Sequence, residues 1–292
     1  MRYILAYVGT ILIWSTTPLA IKWSGEGLHF LSAVAARMVL GMIICFVLVI
    51  IFRKPFPWHA AARNTYLAAG LGIFGAMLCV YYSAQFIPSG LVSVIFGIAP
   101  LLSSVAAAIW LGERSLGWQR VMGLVLGLLG LLVIFRDSLV LDEHVNPNYL
   151  EGVLGILLAA CLQVGSAVVI KRISVELPAL SITAGGLAVA SFFFTLTWYV
   201  FHGYAAGMAL PEPIPWRAVG STIYLGILGS VIGFMLYYYL IQNIGVSKTA
   251  YITLVTPVTA LILGTVLNRE SITLGIGLGA FCILTGQALH HA

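Results

Sequence analysis

Arg37 is the one charged residue set deep in an apolar run, within "AVAARMVLGMIICFVLVI". On a helix it would lie about 12 Å along the axis at the usual rise. A charge in such surroundings is costly enough to be a functional candidate by default. Its planar guanidinium would suit a carboxylate, which it can grip bidentately. It could equally hydrogen-bond backbone carbonyls or stretch its head toward an interface, which is a purely structural use.

Around that cation the sequence offers aromatic rings with polar tips. Trp14 stands in "IWSTTPLAIK" beside Ser15, Thr16, Thr17 and Pro18. Tyr81, Tyr82, Phe96, Tyr237, Tyr238, Tyr239 and Tyr251 add rings, and Gln163 and Thr256 add polar groups. A largely apolar, aromatic cavity with few polar groups would suit an amphipathic solute. Each Tyr or Trp could instead be an interfacial anchor. Pro100 and Pro257 each lack an N–H and crowd the carbonyl four residues earlier, at Phe96 and Thr253. In lipid such a carbonyl must face protein or a water-filled cavity. Each proline is followed thirteen residues later by a carboxylate, Glu113 and Glu270, and these helix-end groups suit gating or structural roles. The candidate solute-binding set is therefore Trp14, Ser15, Arg37, Tyr81, Tyr82, Phe96, Pro100, Gln163, Tyr238, Tyr239, Tyr251, Thr256 and Pro257.

Other chemistries find no support. His29, His59, His144, His202, His290 and His291 fall at segment ends or in loops, and neither HExxH nor the phosphate-binding GxxxxGK[ST] occurs. Cys45, Cys79, Cys161 and Cys282 lie in apolar runs without CxxC spacing. No catalytic residue, metal or cofactor is expected, the chain does not read as an enzyme, and no basic run suggests nucleic acid.

The elements that must hold these residues follow from composition. Of 292 residues 61% are hydrophobic and 8% charged, with mean hydropathy +1.06, whereas soluble domains carry about 25% charged residues. This is the composition of a polytopic membrane protein. Spans of about 20 apolar residues are read at Tyr3 to Trp23, Phe30 to Phe52, Tyr66 to Phe86, Gly90 to Leu111, Trp118 to Phe135, Leu150 to Ile170, Leu180 to Phe201, Ala218 to Gln242, Ser247 to Leu267 and Thr273 to Leu289. With the N-terminus inside, nine basic residues fall on the cytoplasmic side and four outside, so both termini are expected in the cytoplasm.

Sliding the chain on itself by 157 positions pairs Tyr81 and Tyr82 with Tyr238 and Tyr239, Gln85 with Gln242, Pro100 with Pro257 and Glu113 with Glu270. Apolar coincidences are cheap in this composition, but these five polar or proline matches in one register are not. Residues 1–145 and 146–292 are expected to be two five-helix repeats, and an odd number of spans in each forces the second to enter the bilayer from the opposite side. Inverted repeats recur in secondary transporters, with solute held near the midplane between halves.

The paired prolines with "GE" and "RE" endings, "IWSTTPLAIK" in the first span and "AARMVLG" in the second resemble the drug/metabolite transporter superfamily, in particular its ten-helix EamA-type members. The resemblance covers essentially the whole chain. It implies an all-α membrane protein, multi-pass in the bacterial inner membrane as monomer or weak dimer, exporting amino acids, aromatic ones among them, or related metabolites by alternating access. A nucleotide-sugar or phosphate-ester exchanger on the same fold is the alternative, and a membrane-embedded enzyme a more distant one. One departure is that an offset of 149 puts Gly186 opposite Arg37, so any role of Arg37 is not duplicated.

Overall fold

The structure is a computed structural model that describes residues 2–110, 118–140, 148–173, 175–202, 214–249 and 252–291. The helices are α1 (Arg2–Ser24), α2 (Phe30–Ile51), α3 (Ala60–Ser83), α4 (Ser89–Phe96), α5 (Ala99–Trp110), α6 (Trp118–Val140), α7 (Tyr149–Ile173), α8 (Ala179–His202), α9 (Trp216–Tyr224), α10 (Gly233–Ile244), α11 (Val246–Thr249), α12 (Ile252–Asn268) and α13 (Leu274–His291), with a π-helical segment, Leu225–Ile232, joining α9 to α10. The described residues contain no strand. Seven segments are long and apolar enough to cross a bilayer, counting α4 with α5 as one and α9 through α10 as one, and three shorter apolar helices bring the apolar segments to ten. Helices are what such segments must form, because hydrocarbon offers no partner for a backbone N–H or carbonyl.

Side-chain placement is reversed relative to a soluble protein. Ile50 and Phe192 are 73% and 63% exposed, whereas Arg37, Thr10, Ser181 and Gln287 are at most 1% exposed. Surfaces of that kind belong in lipid. Where helices begin near the interface, side chains cap them: His29 Nδ1 accepts from the Leu31 N–H and His59 Nδ1 from the Ala62 N–H, both at 3.3 Å.

The two proline helices differ. Helices α4 and α5 meet at a break over Gly97 and Ile98, so Pro100 falls in the first turn of α5, where its fixed φ and missing N–H cost least. The Gly97 carbonyl at the break accepts from Gln287 Nε2 of α13. Pro257 instead lies within the continuous helix α12.

Backbones approach closely where glycines meet. On α6 and α13 a β-carbon at Gly130 would sit 2.6 Å from the Gly279 carbonyl, and one at Gly286 2.5 Å from the Gly123 carbonyl. Gly72 and Gly75 of α3 lie against Ser166 and Leu162 of α7, and Gly226 against Leu40 of α2. Small faces allow this contact in membranes, where no hydrophobic drive pulls helices together.

Candidate functional site

Arg37 leaves α2 between α3 and the π-helical segment. Its Nε donates to Ser230 Oγ at 2.9 Å, and Nη1 reaches Tyr81 Oη at 3.5 Å and Met77 Sδ at 3.8 Å. The guanidinium carbon also stands 5.9 Å from the Tyr81 ring centroid, within the range of a cation–π contact. Among the described residues no acceptor reaches Nη2 and no carboxylate pairs with Arg37. A β-carbon at Gly229 would lie 3.1 Å from Nη2, so the glycine keeps that edge clear. The π-helical segment carries both Gly229 and Ser230, and such widened turns are common at functional sites.

Beside the guanidinium lies a central cavity. A water centre can roam over about 100 Å³ of it, several times what a single water needs. Trp14, Phe96, Phe234 and Tyr237 give it aromatic walls, and Met77, Val80, Val92, Val164 and Val246 add aliphatic ones. Trp14 and Tyr237 meet with ring centroids 5.0 Å apart, and a β-carbon at Gly233 would approach the indole nitrogen to 3.1 Å. Thr17, Ser93, Ser103, Thr249, Thr253, Thr256 and Gln163 supply hydroxyls and an amide, and Tyr237 hydrogen-bonds with Gln163.

One end of the cavity is clasped. Just beyond the lining residues Ile21 and Val92, Glu270 Oε1 pairs with Lys22 Nζ at 3.3 Å. Its Oε2 accepts from Ser89 Oγ at 2.9 Å and from the Gly90 N–H at 3.3 Å, capping the N-terminus of α4. Asn268 Nδ2 donates to Oε1 at 2.9 Å, while its Oδ1 accepts from Trp23 Nε1 at 3.1 Å. The carboxylate thus ties α1, α4 and the end of α12 together. Burial raises its pKa, but the α4 terminus, Asn268, Lys22 and the Ser89 hydroxyl outweigh that and hold it below the ordinary value of 4.5. At the other end the lining runs on to Ser103, Val246 and Thr249.

Of the residues singled out in the sequence, Trp14, Arg37, Phe96, Gln163 and Thr256 line this cavity. Tyr81 stands one layer behind, against Arg37. Ser15 is buried and accepts from Thr259 Oγ1 at 2.6 Å. The remaining tyrosines point elsewhere: Tyr82 donates to Glu151 at 2.9 Å on the surface, Tyr238 stacks on Phe234 within the helix packing, and Tyr239 stacks on Tyr3. Pro100 and Pro257 shape the helices that carry lining residues without lining the cavity themselves. Tyr251 and Glu113 lie outside the described residues. Tyr237, one of the rings in the tyrosine run, lines the cavity although the candidate set took its two neighbours, and Ser93, Ser103, Thr249 and Gly229 carried no signal in the sequence beyond being small or polar in apolar runs.

A helical membrane protein whose spans converge on a solute-sized, aromatic cavity has the design of a small-molecule transporter. The sequence model of the EamA-like transporter family matches residues 1–136 and 150–290, and the chain belongs to that family. It is 27% identical over 292 residues to the uncharacterized transporter YoaV of Bacillus subtilis, covering 98% of this chain and 95% of that one. It is 28% identical to a probable terminal-alkyne amino-acid exporter of Streptantibioticus cattleyicolor, over 67% of this chain and 62% of that protein. It is 23% identical to a probable amino-acid metabolite efflux pump of Escherichia coli, over 94% and 90%. One solved crystal structure superposes with a TM-score of 0.69 over 99% of this chain and 97% of its own at 20% identity, a likeness of fold.

Proposed function

We propose that this transporter moves small amphipathic organic solutes, amino acids or related metabolites, out of a bacterial cell across the inner membrane by alternating access. The observation that carries the reading is the central cavity, aromatic and aliphatic on its walls, edged by small hydroxyls, and clasped at one end by Glu270. Export of amino-acid-like solutes is also what the names of two relatives describe. In this reading residues 1–145 and 146–292 are inverted halves, both termini are cytoplasmic, and the clasped end is the outer one. Trp14, Phe96, Gln163 and Thr256 contact the solute, Arg37 offers it a cation, and Glu270 is a gate group. A nucleotide sugar would call for several converging cations, and among the described lining residues Arg37 is the only one.

Counterflow in proteoliposomes tests the proposal, with labelled phenylalanine, threonine and a nucleotide sugar, each with and without a proton gradient. Saturable exchange of an amino acid or a close derivative is expected, reduced in Trp14→Ala and Arg37→Gln. Exchange of the nucleotide sugar alone would refute the solute class.

A further inference from the structure

Among the described side chains, the cavity is lined by a charge and no counter-charge. Arg37 is 1% exposed, and the acceptors it reaches, on Ser230, Tyr81 and Met77, are all neutral. The carboxylates whose side chains the structure describes are elsewhere: Glu270 serves Lys22 and α4, Glu151 faces Tyr82, Glu26 pairs with Arg217, and Glu176 is exposed in the connection after α7. None lines the cavity, whose remaining polar groups are hydroxyls, one amide and the Trp14 indole N–H. A buried cation without a counter-ion is costly, and Arg37 and Gly229, whose missing β-carbon would sit 3.1 Å from Nη2, both line the cavity.

We propose that the cavity selects its solute by net charge: it takes a monoanionic carboxylate with an apolar body, such as an N-acylated or deaminated amino acid, in preference to the zwitterion of the same skeleton. A monoanion brings guanidinium and solute to zero net charge. A zwitterion offers the same carboxylate, but its ammonium rides on the adjacent carbon, finds no carboxylate among the described lining residues, and leaves the loaded cavity with one net positive charge. Like charges a few ångströms apart repel strongly away from bulk water, and an ammonium stripped of water without an anionic partner adds a further cost. This proposal rests on the reading of the cavity as a solute site and narrows which amino-acid relative it holds.

The test is a charge series on one skeleton, bound to the full chain in nanodiscs by titration calorimetry: phenylalanine, N-acetylphenylalanine, phenylalanine amide and N-acetylphenylalanine amide, then the same four of leucine. These are respectively zwitterion, monoanion, cation and neutral. The monoanion is expected to bind at least about tenfold tighter than the zwitterion, a difference of about 1.4 kcal/mol. Neutral and cationic members should be weaker still. Arg37→Gln should erase the monoanion's advantage, and Arg37→Lys, which keeps the charge, should preserve the order. A zwitterion equal to or tighter than the monoanion in the unmodified chain would overturn the proposal, as would an unchanged order in Arg37→Gln. The unmodified chain decides on its own if a variant does not fold. Absence of saturable binding across both series would instead sink the small-solute reading and the charge proposal with it, whereas an order led by phenylalanine or leucine sinks only the latter.

Discussion

Glu270→Gln removes one charge with almost no change in volume, and so isolates what that charge contributes to the clasp. Three hydrogen bonds end on the carboxylate, from Ser89 Oγ, the Gly90 N–H and Asn268 Nδ2, together with the Lys22 ion pair. Hydrogen bonds to charged groups contribute about 1.5–3 kcal/mol each, against about 0.5–1.5 for neutral ones. The ion pair adds little beyond this, because the Lys22 side chain is 32% exposed and screened. Glutamine keeps an acceptor for part of the set, so we expect a net loss of about 2 kcal/mol, roughly a 30-fold shift toward the state open at this end. The assay is thiol accessibility in a chain whose four native cysteines are replaced and which carries Val92→Cys, a buried lining position beside the clasp. A membrane-impermeant maleimide applied from the Glu270 side should label slowly with Glu270 present and at least tenfold faster in Glu270→Gln, while labelling from the opposite side falls. Rates that agree within twofold from both sides would refute the idea that this carboxylate holds the end shut.

Three further outcomes follow from the same geometry. Because the Glu270 pKa is held below 4.5, its stabilisation is complete above the unfolded-state value and is lost as pH falls through the folded one. The melting temperature of the parent should therefore exceed that of Glu270→Gln by a constant margin between pH 5 and 8, and the two should converge only on acidification below 4.5. Gly229→Ala puts a methyl 3.1 Å from Arg37 Nη2, and should lower solute affinity in binding titrations by about tenfold (~1.4 kcal/mol) without changing elution volume. Gln287→Leu strips the Gly97 carbonyl of its donor, and should cost about 1–3 kcal/mol, read as a fall of several degrees in melting temperature.

Much of the fold was legible because hydrocarbon leaves little choice: a run of about 20 apolar residues must satisfy its backbone internally, and only a helix does so within one segment. Arg37 was legible for a related reason, since a charge deep in such a run stands out by its cost. What a proline does was less legible. Pro100 and Pro257 look alike in sequence, yet one opens a helix after a break and the other sits inside an unbroken one. The break is at Gly97, where a distant residue, Gln287, supplies the donor that lets the backbone part. The tyrosine run shows a second limit. Successive helix residues point about 100° apart, so of Tyr237, Tyr238 and Tyr239 only one can face the cavity. The π-helical segment just before them holds an extra residue per turn relative to an α-helix and resets that phase. Counting from the start of the span therefore loses the phase, and the 157-residue offset that guided the candidate set pairs Tyr81 and Tyr82 with Tyr238 and Tyr239 and passes over Tyr237. Asn268 is a local partner of Glu270, but Lys22 and the Ser89–Gly90 pair come from α1 and α4, which no local pattern reports.

The glycine seam between α6 and α13 bears on how the chain can drift over generations. A methyl group added at Gly130, Gly279 or Gly286 would fall within 2.7 Å of backbone on the opposite helix, so even alanine there must part the two chains. Residues such as Leu132, Leu278 and Phe281 on the same helices are largely exposed and can exchange among apolar types at little cost. Mutational tolerance in this pair therefore runs opposite to side-chain size. The bulky positions are the replaceable ones, and the residues with no side chain at all are those that selection has least room to alter.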